Sequence, residues 1–369
     1  MKKYNICSIV NGHNYAIELG ILIVSILLNS EEDEYFSFHI ITDDMSDDDK
    51  NKILQLKEIK DFDIKFYKPD VEKYKKWYEE IKDRIYYWWN YIIFVKLDIP
   101  EILNDLDTVL FLDTDMIVLK SLKEIFNTDI SNYWLLAAKN NSYLVDINNY
   151  SEEYIRYSNI HKLSEEELKE KYKNIKEDFE KVLVFDKEPH EWVNSGFMYM
   201  NLKELRANIN KADIDKHIIK LFETKMRFGH EAILNHFVPN DKIKRVSEYY
   251  NVIFPLHLNN EYADKTIIAH FNADHRIVIS PENKKYSNYI PLYKNKLLLS
   301  AWEYLSYTPW FKENTFYWMD MFLKYDKLYL ERHMDKKIDK IIDFLVWPIP
   351  FRNMRDKTRK KLKDIQSSI

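Results

Sequence analysis

Apolar positions set two alternating rhythms along the first third of the chain. Asn5 to Val10 is a short β-branched run that predicts a strand. Asn-Gly-His-Asn-Tyr follows as turn chemistry, and the nearly continuous apolar pattern from Ala16 to Leu28 predicts a helix. Phe36 to Thr42 predicts a second strand. Ser46 caps the next helix with Asp49 at the capping-box position, and Ile64 to Tyr67 predicts a third strand. Such βαβα alternation implies an α/β protein with a mostly parallel sheet flanked by helices. Asp107 to Leu112 reads as a buried strand that ends in Asp113-Thr114-Asp115, with a second apolar run from Met116 to Leu119. The two acids therefore fall at a strand's carboxyl end, where open α/β sheets place their ligands. Leu135 to Lys139 adds a strand, Gly196 to Asn201 another that leads to a helix from Leu202, Gly229 to Phe237 a helix, and Thr266 to Phe271 a strand ending near His270. Ser151 to Lys181 is dense in Glu, Lys and Tyr and reads as solvated helices inserted between strands, either a surface face or a lid.

Composition narrows the class. The chain has 369 residues, 46% apolar and 31% charged, which excludes disorder and collagen-like structure and suits one large α/β domain with an extension. None of the four glycines sits in G-x-G-x-x-G or G-x-x-x-x-G-K-[ST], so dinucleotide folds and P-loop NTPases drop out. With Cys7 alone there is no internal disulfide and no thiolate zinc cluster, which fits a reducing cytoplasm. No secretory signal is expected at the N-terminus, and the apolar stretches 21–28 and 341–351 fall short of the roughly 20 residues that span a bilayer. The net charge of −5 conceals a basic tail: residues 352–363 carry seven basic side chains against one acid, so the body is more acidic than the total suggests. An acidic body repels phosphate backbones, so no nucleic-acid partner is expected.

Asp113 and Asp115 are one residue apart. On an extended chain both carboxylates point to one side and can grip a hard cation, Mg²⁺ or Mn²⁺, whose shell substrate phosphates complete. Two acids capping a turn are the simpler reading of an isolated D-x-D. An apolar strand before them makes an unneutralised pair costly and favours the cation. A haloacid-dehalogenase-type phosphatase shares this hhhhD-x-D pattern, but it needs a later Gly-Asp, and no glycine here precedes an aspartate.

Five segments, in order, resemble the family 8 glycosyltransferases, retaining enzymes that use nucleotide sugars. They are Val10-Asn11-Gly12-His13-Asn14-Tyr15 after the first strand, Val95-Lys96-Leu97, Phe111-Leu112-Asp113-Thr114-Asp115, Val193-Asn194-Ser195-Gly196-Phe197, and His270-Phe271-Asn272-Ala273-Asp274-His275-Arg276. The resemblance spans residues 4 to 280 and implies a GT-A type, Rossmann-like fold. It implies that Val10, Asn11, Asn14 and Tyr15 hold the uracil and ribose, with Tyr15 stacked on the base. Lys96 would lie near the diphosphate, while Asn194, Ser195 and Gly196 would present an amide and backbone groups to the donor sugar. Asp113, Asp115 and His270 would hold Mn²⁺ or Mg²⁺ beside Thr114, Arg276 would meet the β-phosphate, and Ala273 would be among the donor-binding residues. Ala273 stands for the family's glycine, Arg276 for its lysine, and Ile277-Val278 for Pro-Trp. Where the family has Asp-Gln-x-x-Leu-Asn, this chain reads His230-Glu231-Ala232-Ile233-Leu234-Asn235. His230 and Glu231 thus become the catalytic candidates, and Asn140 aligns with an acid that contacts sugar hydroxyls.

The resemblance implies transfer of a hexose, glucose or galactose, from a UDP-sugar to a glycan or glycolipid acceptor such as lipopolysaccharide or capsule. A catalytically silent sugar-nucleotide-binding protein of the same fold is the alternative. The expected organisation is a catalytic domain over 1–285, with a helical insertion at 141–190, and a helical extension over 286–369. In that extension Phe344, Leu345, Trp347, Ile349 and Phe351 precede the basic run, a composition suited to an anionic membrane surface. The expected location is cytoplasmic, peripheral on the inner face of a bacterial plasma membrane.

Overall fold

The structure is a computed structural model that describes residues 2–81, 91–139, 193–216, 230–253, 260–271, 295–323, 342–343 and 356–362; the side chains of residues 77, 80, 81, 139, 230–232, 260 and 261 are outside that description. Strand β1 (Lys2–Val10) leads through Gly12 into helix α1 (His13–Leu28). Then come β2 (Glu34–Thr42), α2 (Asp47–Gln55), β3 (Asp63–Tyr67) and α3 (Glu72–Ile81). Gly12 is the hinge between β1 and α1. Its φ of 83° lies in the left-handed region that a side chain disfavours, and its N–H donates to Asp44 Oδ1 at 2.9 Å. The expected cap of α2 is present: Ser46 Oγ accepts from the Asp49 N–H at 3.0 Å and donates to Asp49 Oδ2 at 2.8 Å.

A 3-10 segment, Tyr91–Asp98, precedes β4 (Thr108–Leu112), β5 (Met116–Val118) and β6 (Leu135–Lys139). After residues 140–192 come β7 (Val193–Asn201), helix α4 (Leu202–Asn208), helix α5 (His230–Phe237), β8 (Ile243–Val246), β9 (Val252–Ile253) and β10 (Ile268–His270). The chain closes this part with α6 (Lys296–Ser306) and α7 (Pro309–Glu313).

Seven strands form one sheet in the order β3-β2-β1-β4-β7-β6-β8. Strands β3, β2, β1 and β4 are parallel, β7 runs antiparallel to both its neighbours, and β8 is parallel to β6. This is the largely parallel α/β sheet expected from the alternation. The reversal of β7 matters for the site, because the start of β7 lies at the same edge as the end of β4. The registers Leu112↔Phe197 and Thr108↔Asn201 fix that alignment. A second sheet of three strands, β5-β10-β9, was not anticipated. Its strands are two or three residues long, too short to show a period of two.

The core lies on both faces of the large sheet. Helix α1 is buried along nearly its whole length, with Leu19, Ile21 and Ile23 among its fully buried side chains. That explains its continuous apolar pattern: it packs on more than one side. One of those sides is α7, where Trp310 lies on Gly20 and its Nε1–H donates to Asp49 Oδ1 at 3.1 Å. The chain divides into two compact units, residues 1–279 with 295–313, and residues 280–294 with 314–369. In the second unit, Arg359 pairs with Asp343 at 2.8 Å and Asp356 at 3.1 Å. The expected insertion at 141–190 and the apolar tail segment lie outside the described residues, except for Ile342 and Asp343 in the latter.

Candidate active site

The D-x-D segment joins the two sheets. Strand β4 belongs to the large sheet and β5 to the small one, and Asp113-Thr114-Asp115 is a turn between them. This corrects the expectation of an extended pair. The two carboxylates converge because the turn is pinned at both ends. The Asp113 N–H donates to Gly196 O at 2.9 Å, in line with the large sheet, and Asp115 O accepts from the Phe271 N–H at 2.8 Å, in line with the small one. Thr114, 4% exposed, fills the turn between them.

Strand β10 brings the third residue. Its antiparallel pairing with β5 sets His270 opposite Met116, directly after the turn. His270 Nε2 lies 3.2 Å from Asp115 Oδ1 and 4.0 Å from Asp113 Oδ2. One ligand atom from each of Asp113, Asp115 and His270 lies within 4.8 Å of the others. Burial works against a charged imidazole, but the charge and hydrogen bond of Asp115, with Asp113 behind it, outweigh burial and raise the His270 pKa; Lys96 pulls the other way. Two carboxylate oxygens and one imidazole nitrogen suit Mn²⁺ or Mg²⁺ and leave coordination positions for phosphate oxygens.

Lys96 is the local counter-charge. Its Nζ is 2.7 Å from Asp113 Oδ1 and 3.0 Å from Oδ2, donates to Ser195 Oγ at 3.4 Å, and sits 4.9 Å above the centre of the Phe111 ring. Sequence reading expected Lys96 near a diphosphate; the structure places it against the metal-ligand candidate Asp113.

The start of β7 carries the next group. Asn194 Oδ1 accepts from the Gly196 N–H at 2.9 Å and from Asn251 Nδ2 at 3.0 Å, and Asn251 Oδ1 lies 3.1 Å from His270 Nδ1. Gly196 is required by space. A methyl group there would lie 2.6 Å from His270 Cε1, 2.8 Å from Asn194 Oδ1 and 2.9 Å from Met116 Cε. Helix α5 is clamped to this strand by Asn235, whose side chain donates to Val193 O and accepts from Val193 N–H, both at 3.0 Å. Glu231 stands one helical turn before Asn235 in α5.

At the ends of β1 and β2, Asn11 Nδ2 lies 3.5 Å from Asp43 Oδ1, whose other oxygen accepts from Tyr91 OH at 2.5 Å. Burial and Asp43 push the Tyr91 hydroxyl up to about 12. Val10 is buried, Tyr15 is half-buried, and Asn14 faces solvent. Asn140, Ala273 and Arg276 lie outside the described residues, and so do the side chains of His230 and Glu231.

Sequence reading missed Asp43, Tyr91 and Asn251, and it placed Asn235 in the motif after Glu231 without giving it a role. For Asp43 a signal existed: it follows β2 as Asn11 follows β1, at the same edge of a parallel sheet. Asn251 had none, since a single Asn before a two-residue strand looks like a turn.

Comparison with known proteins fits this geometry. The family model described as glycosyl transferase family 8 matches residues 6–276. No curated protein sequence matches the chain. Among solved structures, the galactosyltransferase LgtC, in complex with donor and acceptor sugar analogues, aligns with a TM-score of 0.55 at 16% identity, covering 83% of this chain and 96% of that one. The WbbM bifunctional glycosyltransferase aligns with a TM-score of 0.57 at 16% identity over 85% of this chain, which spans only 51% of WbbM. The glycosyltransferase GlyE of Streptococcus pneumoniae TIGR4 aligns with a TM-score of 0.50 at 14% identity, covering 88% of this chain and 63% of its own.

Proposed function

The chain belongs to glycosyl transferase family 8, and from that premise we propose that it is a retaining, metal-dependent hexosyltransferase that takes glucose or galactose from a UDP-sugar. One observation carries the reading: Asp113, Asp115 and His270, supplied by a turn and a strand far apart in sequence, present their ligand atoms within 4.8 Å. Three converging donors beside a buried lysine are a costly arrangement unless a cation and its anionic ligand complete them.

Transfer breaks the bond between the anomeric carbon and a phosphate oxygen, so the main demand is to neutralise charge on the departing UDP. Mn²⁺ or Mg²⁺ held by Asp113, Asp115 and His270 would supply Lewis-acid stabilisation of that charge. Lys96, already buried beside Asp113, adds positive charge, and Arg276 binds the β-phosphate in place of the family's lysine. Asn194, Ser195 and Gly196 face the donor sugar, with Ala273 among the donor-binding residues and Asn140 at the sugar hydroxyls. Val10, Asn11, Asn14 and Tyr15 hold the nucleoside.

The acceptor hydroxyl attacks from the side the UDP leaves, and its proton passes to the departing phosphate oxygen, which retains configuration. Glu231, with His230 beside it, stabilises the oxocarbenium-like charge from the opposite face. The acceptor is a surface glycan or glycolipid such as lipopolysaccharide or capsule. No helix among the described residues is long and apolar enough to cross a membrane. The basic run over 352–363 holds the protein to the anionic inner face of the plasma membrane.

The test is UDP release from a panel of UDP-sugars, with Mn²⁺ and with chelator, for wild type, Asp115→Asn and Glu231→Gln. Metal-dependent release from one sugar is expected, lost by at least a hundredfold in Asp115→Asn and reduced but present in Glu231→Gln. UDP-sugar that binds without turnover, even with candidate acceptors, would replace this reading with a silent binding protein. Normal turnover in Glu231→Gln would remove Glu231 from the mechanism.

A further inference from the structure

Asn251 is 0% exposed and sits between His270 and Asn194, and the hydrogen-bond role of Asn194 is fixed independently of it. The Gly196 N–H can only donate, so the Asn194 atom 2.9 Å away is the side-chain oxygen. That same oxygen faces Asn251 at 3.0 Å, and only an amide N–H satisfies an acceptor, so the nitrogen of Asn251 points to Asn194. The remaining oxygen of Asn251 must then face His270 Nδ1 at 3.1 Å. An amide oxygen cannot donate. Nδ1 of His270 therefore carries a hydrogen, so in the neutral ring it is Nε2 that holds the lone pair, 3.2 Å from Asp115 and 4.0 Å from Asp113.

From this chain of donors and acceptors we infer that Asn251 is a positioning residue: it locks His270 in the Nδ1–H tautomer and aims the Nε2 lone pair at the acid pair, as a divalent cation requires. The inference rests on the reading of Asp113, Asp115 and His270 as a cation site, and adds the residue that prepares the imidazole for it. The same relay explains why a metal-site histidine and the Asn-Ser-Gly entry of β7 occur together. Gly196 sets Asn194, Asn194 sets Asn251, and Asn251 sets His270. The backbone holds Asn251 in place, since its N–H donates to Glu248 O at 3.0 Å and β9 begins at the next residue.

The experiment uses the full chain with ¹⁵N-labelled histidine, metal-free and in alkaline buffer, with the His270 signal assigned by loss in His270→Gln. Long-range ¹H–¹⁵N spectra show which ring nitrogen is protonated. In wild type and in Asn251→Asp, which keeps an acceptor toward Nδ1, the Nδ1–H pattern is expected. In Asn251→Leu, the ring is expected to shift to Nε2–H and the affinity for Mn²⁺ alone, followed by its free-ion spin-resonance signal, to fall 10- to 100-fold. An Nε2–H ring in wild type overturns the inference. So does a folded Asn251→Leu with an unchanged tautomer and unchanged Mn²⁺ affinity. If Asn251→Leu does not fold, the wild-type tautomer decides. A wild type that shows Nδ1–H yet takes up no Mn²⁺ would sink the cation reading and leave the role of Asn251 standing.

Discussion

At the scale of single residues, two glycines do different jobs, and substitution separates them. Gly12 has nothing within 4 Å of where a methyl would go, so its requirement is conformational only. Gly196 is a contact glycine whose added methyl meets the imidazole of His270 at 2.6 Å. Gly196→Ala is expected to cost about 1 to 3 kcal/mol in urea denaturation and to weaken Mn²⁺ binding as well, because His270 must move. Equal stability and equal Mn²⁺ affinity would mean that the ring has room to spare. His39 gives a pH prediction. Its Nε2 faces Asn5 Oδ1 at 3.2 Å and its Nδ1 faces Tyr67 OH at 2.8 Å, a set of partners that suits the neutral ring. Burial lowers its pKa from 6.5 to about 4, with Lys3 and Lys65 adding to that and Asp105 opposing it. A folded-state value below the unfolded one means that stability is fully present above 6.5 and is lost as pH falls toward 4, by up to about 3 kcal/mol. Denaturation midpoints measured across that interval should fall less steeply in His39→Gln than in wild type; parallel curves would show that other groups set the slope.

At the scale of elements, the segment 295–313 returns to the N-terminal half of the sheet and docks on α1 and α2. Trp310, 4% exposed, covers Gly20 and hydrogen-bonds Asp49, which also accepts from His13 Nδ1 at 2.9 Å. Trp310→Ala is expected to destabilise the fold by about 3 to 5 kcal/mol, read from the unfolding midpoint. A loss under 1 kcal/mol would show that α7 is merely adjacent. This docking also explains Gly20, which looks like a weak point within an apolar helix until the indole is seen to need the space. Elements were legible where they were long and periodic. Strands β1, β2, β3, β4, β6 and β7 and helices α1, α2, α4 and α5 start or end within a few residues of the expected positions, because apolar alternation and caps mark them. The small sheet was not legible as a sheet: β10 falls within the strand read over Thr266 to Phe271, but β9, and the pairing of β10 with β9 and β5, had no mark of their own. Tertiary pairing of that kind leaves no local trace. The same holds for the site. Asp113, Asp115 and His270 could be named through the order of motifs, but the reason both carboxylates face the histidine is a turn pinned to two sheets, which no spacing rule contains.

At the scale of the whole molecule, charge is divided between an acidic body and the basic run over 352–363, of which residues 356–362 are helical. Lys357, Lys360 and Lys361 add three positive charges within that helix. If this face holds an anionic membrane, each contributes about 1 kcal/mol. Replacing all three by Gln should weaken co-sedimentation with phosphatidylglycerol vesicles by about a hundredfold, with a matching loss at high salt. Equal binding of wild type to neutral and anionic vesicles would remove the electrostatic contribution.

The turn that joins the two sheets has a consequence for how the protein comes into being. A ribosome delivers Lys96 first, then both acids, and only much later β7, Asn251 and His270. In the finished fold β7 covers the edge of β4, and the imidazole that faces the acid pair comes from a strand made later still. The order of synthesis thus supplies the lysine before the carboxylates, and the complete Asp113, Asp115 and His270 group exists only once the last strand of the small sheet has been made.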